Sequence, residues 1–147
     1  MTEDYRNRIA DWLDKRQQLL VSVFELHQIA PAQLITKPSQ QKVNSFCQHL
    51  IDYVSAGHFE IYHRLMDRLD DHAPLALDRI NGLLNKIQDT TDVAVQFNDI
   101  YDSSNNTPLD GLFRRRLSDL AESLAERFEM EDILLDQCQS QSKSLSA

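Results

Sequence analysis

Hydrophobic positions recur at helical spacing along most of the 147-residue chain, at the i, i+3, i+4 and i+7 steps of a helix that is buried on one side. Proline-containing or turn-rich stretches interrupt this pattern at 30–38, 70–74 and 103–108. We therefore predict four long helices, at about residues 4–28, 39–70, 74–102 and 110–138. Long helices joined by short loops pack antiparallel to their neighbours. The expected fold is all-α, an antiparallel four-helix up-down bundle over residues 1–138, followed by a polar, disordered tail at 139–147.

The second predicted helix carries two stripes of side chains, although a helix in a small bundle needs only one for its core. The first stripe has the spacing of a buried seam and consists of Val43, Phe46, Cys47, Leu50, Val54, Ile61 and Leu65. The second stripe repeats at the same spacing but lies about 120° further around the helix. It consists of Asp52, Ser55, Phe59, Tyr62 and Met66.

Two interpretations of the second stripe stay open at this point. Its apolar members pack under a neighbouring helix, since a central helix can touch two neighbours at once, or the stripe is a surface that binds a partner. Aromatic and methionine side chains beside a charge are typical of interface centres. The second interpretation, extended to the neighbouring histidine, predicts these partner-binding residues: Asp52, Ser55, Phe59, Tyr62, His63 and Met66.

Polar residues interrupt the predicted buried lines of the other helices. The line of the first helix is Ile9, Trp12, Leu13, Arg16, Leu20, Val23 and His27. The line of the last helix is Phe113, Leu117, Leu120, Leu124, Phe128, Glu131 and Leu135.

Gly57 lies inside the second helix, where glycine costs up to about 1 kcal/mol relative to alanine. Its presence predicts either close packing or a ligand surface.

Charge and composition narrow the classes of partner. The 15 lysines and arginines are outnumbered by 23 aspartates and glutamates, which leaves a net charge of −8. This balance disfavours direct binding of nucleic acid and favours basic protein partners. With two cysteines and no signal peptide, we expect a reducing cytoplasm. No apolar run reaches the roughly 20 residues that a membrane span requires.

The sequence contains only partial motifs for metal binding and for catalysis. Di-iron bundles use a Glu-x-x-His motif on each of two helices, and this chain offers one, Glu60 and His63. Ser55 and His58 are close enough on one helix for a nucleophile and its base, but no oxyanion-hole signature accompanies them. We therefore predict no metal, no cofactor and no catalytic residue.

Three segments resemble a known family, the Rsd/AlgQ regulators of sigma factor. They are FCQHLIDYVSAGHFEIY, beginning at Phe46, DIYDSSNNTPLDGLF with LSDLAESLAERFEMED, and WLDKRQQLLVSVFEL, beginning at Trp12. Together they cover most of residues 9–133, while the more polar tail departs from the family pattern.

The resemblance implies an all-helical anti-sigma factor that binds the primary sigma factor, chiefly its C-terminal domain, which recognises the −35 promoter element. Such binding would exclude core RNA polymerase and promoter DNA. The resemblance also places Asp52, Ser55 and Phe59 at the sigma-contacting surface. The alternatives are a metal-binding or enzymatic bundle and an adaptor for another basic protein. The chain is expected to be a monomer or a weak homodimer, with no nucleic acid and no membrane as a direct partner.

Overall fold

A computed structural model describes residues 3–72 and 77–146, together with their side chains except those of 59–60, 68–72, 77 and 138–146. Within these residues every regular element is helical. The α-helices are α1 (Glu3–Gln28), α2 (Lys37–Ala56), α3 (His63–His72), α4 (Leu77–Tyr101) and α5 (Gly111–Ser146). A 3-10 turn (Pro31–Gln33) precedes α2, and a π turn (Gly57–Tyr62) joins α2 directly to α3. The all-α prediction is therefore confirmed.

The prediction of four helices differs from the structure at the second one. The predicted helix at 39–70 is divided by the π turn into α2 and α3, so the described chain holds five α-helices. The packed pairs are α1 with α2, α2 with α4, α4 with α5, and α1 with α5, while α3 packs on α5 and α4. The up-down topology of a four-helix bundle stays a prediction.

Side chains cap the starts of α2 and α5. We predicted Ser39 as the cap of the second helix, but the cap is Thr36, whose Oγ1 accepts a bond of 3.3 Å from the Ser39 backbone N–H. Pro38 is compatible with this earlier start because a proline in the first turn loses no helical hydrogen bond. At α5, Asp110 Oδ1 accepts the backbone N–H of Leu112 at 3.0 Å, close to the predicted start.

The first stripe forms the centre of the core. All seven of its members are buried: Val43, Phe46, Cys47, Leu50, Val54, Ile61 and Leu65. On α1 the predicted line was wrong at Leu20, which is 42% exposed, whereas Leu19 is fully buried. The buried line of α1 follows alternating steps of four and three residues, so it passes through Leu19 and Leu26 instead of Leu20 and His27.

The backbone of the last helix, α5, is described as far as Ser146, and the side chains from Cys138 onward lie outside the described residues. The domain boundary at 138 and the polar, disordered tail at 139–147 stay predictions. Among the helices of the described chain, none is both long and apolar enough to cross a membrane.

Candidate functional site

The structure exposes three of the six predicted partner-binding residues. Asp52 and Ser55 are exposed on α2, and His63 is exposed at the start of α3. Asp52 Oδ1 accepts a hydrogen bond of 3.0 Å from Gln48 Nε2, one turn earlier on the same helix. Met66 is half-buried. Asp52, Ser55 and His63 are therefore exposed polar residues on the two helices that flank the π turn.

The second stripe has two aromatic members, and the structure describes the side chain of only one of them. Phe59 lies in the π turn, but its side chain falls outside the described residues. The prediction that Tyr62 is exposed is wrong: its side chain is 6% exposed, and its hydroxyl donates a hydrogen bond to the Glu131 carboxylate on α5. Tyr62 therefore joins the second stripe to the core.

The π turn explains the position of Tyr62. A π-helical hydrogen bond spans five residues where an α-helical one spans four, so residues after Gly57 are rotated relative to a continuous α-helix. One additional residue in the turn moves Tyr62 towards the angular position that a regular helix gives to Ile61, on the buried seam. π turns occur frequently at functional sites, which makes the segment a candidate site element.

A small groove lies between the π turn and α4. It has a volume of about 260 Å³ and brings Tyr62, His63 and Met66 together with residues of α4. The lining residues among those described are His58, Tyr62, His63, Met66, Leu84, Asn85, Ile87, Gln88 and Thr91. The described lining mixes apolar, amide, hydroxyl and imidazole side chains and includes no carboxylate, lysine or arginine, so the groove is suited to an inserted apolar side chain more than to an ion.

A buried polar cluster lies behind this groove, centred on the carboxylate of Glu131. Glu131 is fully buried. Its Oε1 accepts bonds from the Tyr53 hydroxyl and from Arg16 Nη2, the latter at 3.1 Å. Its Oε2 accepts bonds from the Tyr62 hydroxyl and from Arg127 Nε, the latter at 3.1 Å. The buried polar cluster (Arg16, Tyr53, Tyr62, Arg127 and Glu131) thus connects α1, α2, the π turn and α5.

Both guanidinium groups of the cluster have further partners. The fully buried Arg127 donates from Nη2 to the Tyr62 hydroxyl at 2.9 Å and from Nη1 to Thr91 Oγ1 at 2.8 Å. Arg16 donates from Nη1 to Asp132 Oδ1 at 2.6 Å. The two arginine charges are therefore balanced by the two carboxylates of Glu131 and Asp132, as a charge buried in a protein requires.

Burial and charge alter the acidity of the cluster. Burial first, and then the Glu131 charge, raises the pKa of the Tyr53 and Tyr62 phenols. Burial opposes the charged form of Arg16, but the hydrogen bonds with Tyr53 and Asp132 and the Glu131 charge raise the pKa of Arg16 overall. Both tyrosines are therefore neutral donors at physiological pH.

Gly57 is closely packed, which is one of the two explanations that the sequence left open for this glycine. A Cβ atom at this position would lie 3.1 Å from the Tyr62 hydroxyl oxygen and 3.3 Å from Trp12 Nε1. The glycine therefore provides room for two side chains of the core. Trp12 Nε1 is buried and has no hydrogen-bond acceptor among the described side chains, while the indole meets the Tyr62 ring edge-on, with centroids 6.0 Å apart.

Sequence reasoning located this cluster only in part. Arg16 and Glu131 were noted as polar residues on apolar lines, and that interruption was the available signal. Arg127 was missed, although its spacing of four residues from Glu131 is the spacing of a helical ion pair. Tyr53 was missed because it lies between the two predicted stripes of α2.

An acidic surface lies elsewhere, between α4 and α5. The predicted outer acids of the last helix, Asp119, Glu122, Glu126 and Glu129, are exposed. They line a shallow cavity of about 490 Å³ with Asp89 and Lys86 of α4. The cavity therefore carries an excess of negative charge.

The partial metal motif lies in the π turn and at the start of α3, and one cysteine lies in the core. Among the described side chains, no group of three or more His, Cys, Asp and Glu is arranged to hold a metal ion. The half-motif of Glu60 and His63 includes Glu60, whose side chain lies outside the described residues. Cys47 is a free, buried thiol.

Comparison with known proteins decides the family. A family model described as "Regulator of RNA polymerase sigma(70) subunit, Rsd/AlgQ" matches residues 2–139. The chain belongs to the Rsd/AlgQ family. It is 36% identical over 143 residues to proteins named "Regulator of sigma D" from Shigella dysenteriae, Shigella boydii and Escherichia coli, which covers 92% of this chain and 87% of each relative.

The Rsd/AlgQ match includes both features of the candidate site. The exposed residues of α2 and α3 and every member of the buried polar cluster lie within the matched residues 2–139. The resemblance seen in the sequence is therefore confirmed at the level of the family.

The fold of this Rsd/AlgQ chain is expected to lose stability at alkaline pH. Burial raises the pKa of the Cys47 thiol from 9.0 to about 12, and the pKa values of the Tyr53 and Tyr62 phenols are raised above 10.0. The unfolded chain therefore releases these protons at lower pH than the folded chain. The free energy of unfolding should be constant near neutral pH and should fall above about pH 9, by about 1.4 kcal/mol per pH unit for each released proton.

Urea unfolding measured between about pH 7 and about pH 11 tests this expectation. A Tyr53→Phe variant should lose less stability above about pH 10, because one of the shifted groups is absent. Stability that stays constant up to about pH 11 would contradict the assignment of raised pKa values.

Proposed function

We propose that this chain binds the primary sigma factor of RNA polymerase, chiefly its C-terminal domain, which recognises the −35 promoter element. Binding withholds the sigma factor from core RNA polymerase and from promoter DNA, and no bond is made or broken. The observation that carries the proposal is the Rsd/AlgQ match over residues 2–139, whose description names regulation of the sigma(70) subunit. The relatives named "Regulator of sigma D" support it.

Charge supports this choice of partner. A domain that reads promoter DNA needs basic side chains to contact phosphate, and this chain has a net charge of −8. Asp52 is exposed on α2 and the acids of α5 are exposed on another face. Opposite charges steer two proteins together and accelerate their association. The chain thus competes with DNA for the same basic surface.

The exposed residues at the π turn provide the contact surface in this proposal. Asp52, Ser55 and His63 supply polar contacts, and the side chain of Phe59 is assigned to the contact by the sequence pattern and the family resemblance. Tyr62 acts from below this surface, because it is buried, and Met66 lies at the edge of the groove. A sigma side chain that enters this groove would bury apolar area at the centre of the interface.

Asp52→Ala is the first test of the proposal. We expect it to weaken binding of the purified primary sigma factor by about 1–4 kcal/mol, as truncation does at other interface hot spots, with unchanged helical content because the side chain is exposed. Titration calorimetry with full-length sigma and with its isolated C-terminal domain gives the affinities. The two ligands should show the same loss if the C-terminal domain carries the contact.

Asp99→Ala is the matched control, since Asp99 is an exposed carboxylate on α4 outside the groove and the acidic surface. It removes one negative charge and should leave the affinity nearly unchanged. The wild-type chain should also prevent sigma from joining core polymerase in a competition assay. Equal losses for Asp52→Ala and Asp99→Ala would reject the assigned surface, and no binding of sigma by the wild-type chain would reject the proposed function.

A further inference from the structure

The π turn is held from two sides by tyrosine hydroxyls. Tyr5 on α1 donates a hydrogen bond of 3.0 Å to the backbone carbonyl of Ile61, inside the turn. Tyr62, the last residue of the turn, donates to Glu131 and accepts from Arg127. Both tyrosines are buried. The turn therefore has one anchor on α1 and a second anchor on α5.

The Glu131 anchor is rigid because its own partners fix it. The carboxylate is held by both guanidinium groups of the buried polar cluster. Arg127 is in turn bonded to Thr90 and Thr91 of α4. A rotation of the π turn would withdraw the Tyr62 hydroxyl from this arrangement and leave buried polar atoms without partners, which is costly. The cluster thus favours one position of the turn.

We propose that Glu131 and Arg127 are positioning residues, which hold the π turn through Tyr62 and so fix the spacing between Ser55 on α2 and His63 on α3 for partner binding. This inference rests on the proposed function for its binding readout. The two exposed residues flank the turn, so a change of its register would rotate one relative to the other. Interfaces depend on such preorganisation, because ordering a flexible surface on binding reduces affinity.

Tyr62→Phe tests the proposal with the smallest change, since it removes the anchoring hydroxyl and keeps the ring. Tyr53→Phe is the matched control: it removes the other hydroxyl that donates to Glu131, but Tyr53 lies in α2 before the turn. Hydrogen exchange measures the opening of residues 57–63, and titration with the primary sigma factor measures affinity. We expect Tyr62→Phe to accelerate exchange in 57–63 and to weaken binding about three- to tenfold. Tyr53→Phe should change neither.

Gly57→Ala perturbs the same anchor from the opposite side. Its added methyl group would lie 3.1 Å from the Tyr62 hydroxyl oxygen, so this hydroxyl must shift by a few tenths of an ångström, which strains its hydrogen bond to Glu131. We expect faster exchange in 57–63 and weaker binding than in the wild type, but only a small additional effect in the Tyr62→Phe background, where the hydroxyl is already absent. Fully additive effects would contradict a shared mechanism.

The results separate this inference from the proposed function. Faster exchange with unchanged affinity would overturn the positioning role and leave the cluster a stabilising element only. Weaker binding with unchanged exchange would also overturn it, because Tyr62 would then act by direct contact. If the wild-type chain fails to bind the sigma factor, the proposed function is wrong, and the proposed positioning for partner binding falls with it. The exchange data then show separately whether the cluster holds the turn.

Discussion

Glu131→Ala is expected to destabilise the fold by about 3–5 kcal/mol, the loss typical of removing one partner from a buried ion pair. The substitution leaves Arg127 fully buried without its carboxylate and deprives the Tyr53 and Tyr62 hydroxyls of their acceptor. Arg16 keeps Asp132 as a partner, so its charge stays balanced. The main cost is therefore the uncompensated charge of Arg127.

Urea unfolding at neutral pH, followed by circular dichroism, measures this loss. Glu129→Ala is the matched control on the same helix, because Glu129 is exposed and an exposed substitution of this kind changes stability by about 0.5 kcal/mol or less. A loss below about 1 kcal/mol for Glu131→Ala would mean that the buried polar cluster contributes little to the stability of the fold. Asp52→Ala should leave the stability of the fold unchanged because Asp52 is exposed, whereas Glu131→Ala should lower it because Glu131 is buried.

The regular parts of the fold could be predicted from the sequence because burial repeats with the helical period. The first stripe was located correctly on α2, from Val43 to Val54, since apolar side chains on one face of a helix are sufficient to identify its buried side. Its last two members, Ile61 and Leu65, are buried as well, although the π turn separates them from α2. The predicted start near Asp110 was correct because an Asp side chain can accept the first N–H groups of a helix. These features depend on local chemistry, which the sequence contains.

The errors occurred where tertiary contacts override the local pattern. A π turn has no hydrophobic signature of its own, so periodicity extended the α-helical register through Gly57 and placed Tyr62 outside the core. The hydroxyl of Tyr62 is buried only because Glu131, 69 residues later, accepts its hydrogen bond. Likewise Arg127 has the appearance of a surface residue until its partners on α4 and in the π turn are known. Long-range polar pairing of this kind is not encoded in any short window.

The sequence predicted exposed residues of the candidate site but not the buried residues that lie beneath them. Asp52, Ser55 and His63 are exposed, as a partner surface requires, whereas the arrangement beneath them was not foreseen. Net charge favoured a basic partner without identifying one, because many proteins carry basic surfaces. The choice of a sigma factor comes from the family, and the structure contributes the groove, the π turn and its anchors.

Trp12→Ala is the second large effect expected, a loss of about 3–5 kcal/mol, as for other buried tryptophans replaced by alanine. Trp12 is 2% exposed and stacks on the Tyr53 ring, with centroids 5.3 Å apart and planes at 3°. Its removal would also take away the ring under the Arg16 guanidinium, 5.5 Å from the centroid, and would empty the space beside Gly57. The indole therefore supports the core and the π turn together.

Trp12→Phe is the control that distinguishes these contributions, because it retains an aromatic face for Tyr53 and Arg16 while it removes the larger ring. It should lose clearly less stability than Trp12→Ala in the same urea titration. Hydrogen exchange should show the Trp12→Ala effect extending to residues 57–63, since Trp12 meets both Tyr62 and Gly57. Equal losses for both variants would mean that the volume of the indole, and not its stacking, stabilises this part of the fold.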